Sequence, residues 1–165
     1  NDGPFRLYRN DLGFEGRPFT HFLRFDINTD LHPCLAPMGY GTRVIATYGG
    51  KDHLRVVDGA SSYLGQSELT VHFGLEIIEE VDQVRFEWAD GSYTIIENPT
   101  IDHQSVVYAY HPADMDRDGR FTFYDISRML SAYIAQDSSA DFNSDGAVNI
   151  MDVMEFIERY NSPCE

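Results

Sequence analysis

Along residues 19–110 the apolar positions recur every second residue in short runs. FTHFLRFDI at 19–27 alternates apolar and polar, the period of a half-buried strand. TRVIATY and DHLRVV flank Gly49-Gly50, which is hairpin chemistry. LTVHFGL, QVRFEWA and SYTIIEN follow as strands, the last two joined through Asp90-Gly91, and SVVYAY at 105–110 closes the set. PFRLYR at 4–9 reads as one more short strand, fenced by NDG and NDLG. NTDLHPCLAPMGYG at 28–41, with its Pro and Gly, is a long loop. Seven or eight short strands with regular turns predict a mainly β fold, a β-sandwich or open barrel.

The period changes at His111-Pro112. Ile126, Met129, Leu130 and Tyr133 fall at i, i+3, i+4 and i+7, and Val153, Phe156, Ile157 and Tyr160 do the same. Each set predicts one helix with one apolar stripe. The chain therefore divides into an N-terminal arm at 1–12, a β-domain at 13–110 and a small helical unit at 111–165.

Charge sharpens this division. The formal net charge is −15, from 27 acids and 12 bases. Residues 1–110 carry 16 acids against 8 bases, and the shorter 111–165 carries 11 against 4. That balance excludes nucleic acid and anionic membrane surfaces as partners. The 42% hydrophobic content excludes an acidic disordered tail. No apolar run approaches the ~20 residues of a membrane span. Without an initiator Met or a leader, Asn1 is expected to begin a processed piece.

The acids of the helical unit are ordered. DMDRDGRFTFYD and DFNSDGAVNIMD place acids or amides on alternate residues, a Gly sixth and an Asp twelfth. A calcium ion takes six to eight oxygens, and a 12-residue loop supplies them from positions 1, 3, 5, 7 and 12. The first loop offers Asp114, Asp116, Asp118, the Arg120 carbonyl and Asp125. The second offers Asp141, Asn143, Asp145, the Ala147 carbonyl and Asp152. Gly119 and Gly146 sit where the chain must turn with positive φ. Phe121 and Val148 hold position 8, where paired loops are expected to form a short β-bridge. Each helix should start near position 10, so that its dipole favours the last acid. Acidic turns that merely cap two helices would not require the repeat. Two calcium ions are expected.

This loop–helix tandem, residues 113–160, resembles the dockerin type I domain. The resemblance implies two calcium loops, each followed by a helix, and a cohesin module as partner. In dockerins loop positions 10 and 11 are often small and polar. Here they are Phe123-Tyr124 and Ile150-Met151, bulky residues expected to pack on a neighbouring domain instead.

The β-rich part has its own resemblance. GYGTRVIATYGG, ASSYLGQSELTVHFGL and VDQVRFEWADG together look like the ASPIC/UnbV domain, over about 17–110. The matching residues are Gly39, Gly41, Arg43, Val44, Ser62, Tyr63, Leu64, Gln66, His72, Phe73, Gly74, Leu75, Val81, Asp82, Trp88 and Gly91. Ala89 stands where the family commonly has Pro, and the 28–38 loop is longer and carries Cys34. The resemblance implies an exported, bacterial-type secreted protein, in which the domain usually follows a β-propeller. NDGPFRLYRND looks like the tail of a propeller blade.

No catalytic constellation emerges. Six His are scattered, with no HExxH, G-x-S-x-G or phosphate-binding loop. His72 reads as a strand residue, Glu79-Glu80 as solvated charges, Asp82 as a turn cap and Ser61-Ser62-Tyr63 as a turn near Gln66. Trp88 reads as core rather than as a platform for a sugar. Cys34 and Cys164 are candidates for an internal disulfide, for pairing with other chains, or for free thiols. The expectation is a non-catalytic, extracellular, calcium-binding structural or adhesion module of the cell surface. Its partner would be another protein or further copies of itself. PFRLYR would add to an edge of its own β-domain, or to a neighbouring chain's sheet and so build a fibre. The alternatives are a dockerin that recruits its parent to a cohesin-type scaffold, and a carbohydrate-binding accessory module.

Overall fold

The fold is described from a computed structural model, over residues 20–59 and 68–164. PFRLYR, with the rest of the 1–12 arm, and Ser61 to Gln66 lie outside the described residues. Seven strands are followed by two helices: β1 (His21–Asn28), β2 (Arg43–Tyr48), β3 (Lys51–Val56), β4 (Val71–Glu76), β5 (Gln83–Glu87), β6 (Tyr93–Glu97), β7 (His103–Tyr108), α1 (Phe123–Ala135) and α2 (Ile150–Asn161). The strands form a three-stranded sheet in the order β4-β1-β7 and a four-stranded sheet in the order β3-β2-β5-β6. The architecture is a β-sandwich followed by a helical pair.

Alternation decides which face each strand buries. Val71, Phe73 and Leu75 of β4 point inward, as do Val44, Ala46 and Tyr48 of β2 and Val84 and Phe86 of β5. With Leu23 and Phe25 of β1 they fill the space between the sheets. Burying one such Phe or Leu contributes about 1.5–3 kcal/mol. Trp88 belongs to this core, and its Nε1 donates to Thr94 Oγ1 at 3.1 Å. The β2–β3 hairpin turns on Gly49 and Gly50, both at positive φ (58° and 71°), as a two-residue turn matched to strand twist requires. β1 pairs antiparallel with β4 but parallel with β7. The connection from β1 to β7 runs through all the other strands.

A second core holds the helical unit. Met129 of α1 and Phe156 of α2 are buried with Ala113 and Ala140. Phe142 and Tyr160 pack their rings on Phe156, at centroid distances of 5.3 and 5.7 Å. The buried stripes are narrower than the 3.6 period implied. Leu130 and Ile157 are about half exposed. Each helix meets one neighbour of its own length, and the i+4 positions fall beyond that contact.

Phe123, Tyr124, Ile150 and Met151 are exposed, by 75, 71, 60 and 54%. The expectation that they pack on a neighbouring domain is therefore corrected. They stand in the first turns of α1 and α2. Phe121 and Val148 are half buried against the second core. No β-bridge joins them among the described residues, so side-chain packing rather than a ladder holds the loops together.

Candidate metal centre

The two acidic loops share most of their backbone-to-side-chain hydrogen bonds, position by position. In the first, Asp114 Oδ1 accepts from the Asp118 N–H (3.1 Å) and Oδ2 from the Gly119 N–H (2.8 Å). In the second, Asp141 Oδ1 accepts from Asp145 N–H (3.1 Å) and Oδ2 from Gly146 N–H (3.0 Å). Asp118 accepts from Arg120 N–H as Asp145 does from Ala147 N–H. Positions 4 and 6 are left-handed in both: Arg117 and Ser144 (φ 61° and 58°), Gly119 and Gly146 (φ 80° and 85°).

The twelfth residues tie loop to helix. Asp125 and Asp152 are fully buried. Asp125 Oδ2 accepts from Thr122 N–H at 2.7 Å, and Thr122 Oγ1 accepts from Tyr124 N–H. Asp152 and Asn149 make the same reciprocal cap. Each is a capping box, satisfying amides that a helix start leaves unpaired. Its signature, Thr122-x-x-Asp125 and Asn149-x-x-Asp152, overlaps the acidic repeat and shares its twelfth residue. The second carboxylate oxygen reaches back across the loop, from Asp125 to Asp116 N–H and from Asp152 to Asn143 N–H, both at 3.2 Å.

Carboxylate oxygens of Asp114, Asp116 and Asp118 lie within 4.8 Å of one another. Partial desolvation, and then the Asp125 and Asp118 charges, hold Asp116 above the usual carboxylate range. A divalent cation would relieve that repulsion. Asp152 is held below its ordinary value, first by the Asn149 N–H. The donor set is all oxygen, which suits a hard cation. In the second loop Asn143 replaces one carboxylate, its Nδ2 donating to Asp145 Oδ2 at 3.1 Å. The Ala147 carbonyl accepts from Asn149 Nδ2. Of the expected ligands, the carboxylates of Asp114, Asp116 and Asp118 converge among the described residues, while Asp125 and Asp152 turn theirs to the backbone N–H groups of their helix caps.

Contacts between the sandwich and the first acidic loop had no sequence signal. Leu31, in the β1–β2 connection, lies against Gly119, where an added Cβ would come within 2.8 Å of Leu31 Cδ2. His32, buried in the same connection, holds its Nε2 3.0 Å from Asp90 Oδ2. Burial opposes ionisation of Asp90, but His32 and Ser92 outweigh it and lower its pKa well below the usual range. The His111 ring packs edge-on to His32 and to Phe121. Its Nδ1 accepts from Ala113 N–H, so Nε2 donates to the Pro163 carbonyl at 3.0 Å. Cys34 and Cys164 form a disulfide, with a Cα–Cα separation of 5.1 Å.

A mixed β-sandwich joined to a capped pair of acidic loop–helix units is the class that fold and site define. Within it, residues 35–111 match the family described as ASPIC and UnbV. Cartilage acidic protein 1 of Mus musculus is 34% identical over 74 residues, covering 45% of this chain and 11% of that protein. The Homo sapiens protein of the same name is 34% identical over 73 residues, covering 44% and 11%. The matched stretch thus spans about a tenth of these relatives' length. The family match ends at residue 111, before the acidic loops, and residues 17–34 lie before it. No helix among the described residues is long and apolar enough to cross a membrane.

Proposed function

We propose that residues 111–165 bind two calcium ions and that the chain is a non-catalytic, extracellular structural or adhesion module. The observation that carries the calcium reading is that the two loops share their backbone-to-carboxylate bonds at positions 1, 5, 6 and 12, with left-handed residues at the same two positions. Calcium would be held by Asp114, Asp116, Asp118, the Arg120 carbonyl and Asp125, and by Asp141, Asn143, Asp145, the Ala147 carbonyl and Asp152. Bound there, it neutralises carboxylates that otherwise repel one another, and its binding energy becomes folding energy. The disulfide supports an extracellular setting, as does the match to a protein named for cartilage.

Calorimetric titration of the chelated protein tests this. Two sites are expected, with dissociation constants between the ~10⁻⁷ M of sensors and the ~10⁻³ M of extracellular modules. Chelation should melt the helices while the sandwich persists. Identical helix content and melting with and without chelator would refute the reading.

A second reading, recruitment to a cohesin-type scaffold, is favoured by the exposure of Phe123, Tyr124, Ile150 and Met151. Equivalent apolar pairs on two equivalent helices present a protein-sized surface. Pull-down with a panel of cohesin modules separates it from the structural role.

A further inference from the structure

A cleft of about 1420 Å³ opens between the sandwich and the helical unit. We propose that it binds an uncharged oligosaccharide.

The sandwich contributes aromatic faces to this cleft. Tyr93 of β6 and Tyr108 of β7 both line it and are 58% and 42% exposed. Among the described residues each belongs to an edge strand of its sheet, and the Arg85 guanidinium lies over one face of Tyr93 at 4.5 Å. Tyr110 continues the wall, its ring 6.2 Å from that of Tyr108. An aromatic face is electron-rich and attracts positively polarised C–H groups. A pyranose ring offers such a face, with hydroxyls around its rim.

The helical unit contributes hydrogen-bonding groups. Arg117 sits at the left-handed fourth position of the first acidic loop, and its guanidinium lies over Tyr110 at 5.6 Å. The equivalent residue of the second loop, Ser144, lines the same space with a hydroxyl. Arg128 of α1 and Asn143 also line the space. Guanidinium donors suit a rim of hydroxyls, each of which can accept.

Size and charge narrow the ligand. The cleft exceeds the ~300–1,000 Å³ of a pocket for one small molecule, which favours an extended chain. The chain's net charge is −15, and Asp114, Asp116 and Asp141 face the same space. Two divalent ions would offset only four of those charges. A polyanion would therefore be repelled, so an uncharged chain fits better than a uronate or a sulfated one. The proposal does not depend on the calcium reading, because the tyrosines stand on strands.

The test uses the full chain in calcium-containing buffer, titrated with cellohexaose, chitohexaose and mannohexaose, with hexagalacturonate as the anionic comparison. At least one neutral hexamer should shift the backbone amide resonances of Tyr108 and Arg128. Tyr108→Ala should weaken that binding about tenfold or more, since a truncated aromatic anchor loses most of its contact. Tyr108→Phe should preserve it, because the ring remains. Both substitutions fall on an exposed edge position, and an unchanged melting curve verifies folding. Tyr93→Ala provides a second variant should Tyr108→Ala not fold. Failure of all three neutral hexamers to bind at millimolar concentration overturns the proposal. So does tighter binding of hexagalacturonate, or a tyrosine-to-alanine variant that folds and binds unchanged.

Discussion

Replacing Gly119 by Ala, and separately Gly146 by Ala, isolates the contact between the first acidic loop and the sandwich. The two glycines hold the same loop position and nearly the same φ, 80° and 85°. Each alanine therefore meets the same backbone strain, about 1–2 kcal/mol for an L residue in the left-handed region. Their surroundings differ. A Cβ on Gly146 meets nothing within 4 Å, whereas one on Gly119 comes to 2.8 Å from Leu31 Cδ2, 3.3 Å from Leu31 Cβ and 3.4 Å from Leu31 Cα. The side-chain tip can turn away, but the Cβ, at 3.3 Å, can give only by shifting the β1–β2 connection a few tenths of an ångström. That connection is pinned by His32 and by the disulfide. Overpacking of this kind costs a further ~1–3 kcal/mol. For a chain of this size 1 kcal/mol shifts Tm by roughly 2–4 °C, so Gly119→Ala should melt about 2–12 °C below Gly146→Ala. Thermal unfolding of the two calcium-loaded variants, followed by circular dichroism, measures the difference. In a Leu31→Ala background the gap should narrow, because the Cδ2 contact is gone. Equal melting temperatures for the two variants would refute the packing argument.

Three further outcomes are expected. Reducing the disulfide, whose cysteines are 130 residues apart, should lower stability by about 5 kcal/mol in the chain-entropy model, read by urea unfolding with and without reductant. Asp125→Ala should cost about 1–2 kcal/mol even without calcium, because it removes the cap on α1, and helix content in chelator should fall relative to the wild type. Asp90 has a depressed folded pKa, so its contribution is present above the unfolded value near ~3.9 and is lost as pH falls through the folded one. Stability measured from pH 5 downward should thus fall less steeply in Asp90→Asn than in the wild type.

The elements legible in the chain were those whose signal is local. Alternation in VHFGL and RVIATY marks a buried face within a few residues, and the spacing of acids around Gly119 and Gly146 carries its own geometry. Which strands become neighbours is another matter. The parallel pairing of β1 with β7 depends on residues far apart, and a period-2 pattern states which face is buried, not what lies alongside. Leu130 and Ile157 show a related limit. Periodicity gave them a place on the apolar stripe, but stripe width is set by the partner, and a short helical pair covers only part of it. The contacts of Leu31 on Gly119 and His32 on Asp90 join separated segments through ordinary residue types. Nothing in their spacing distinguishes them from any Leu or His in a loop.

The bond between Cys34 and Cys164 also fixes how the chain would transmit tension. A pull applied through the segments on either side enters β1, passes from residue 34 across the sulfurs to residue 164, and leaves. The whole stretch between the two cysteines, with the second sheet and both acidic loops, lies outside that path. Among the described residues β1 resists, sheared between β4 on one side and β7 on the other, together with the contacts of Leu31 and His32. The helical unit is thereby kept slack. In a stretched assembly it would stay folded until β1 gave way.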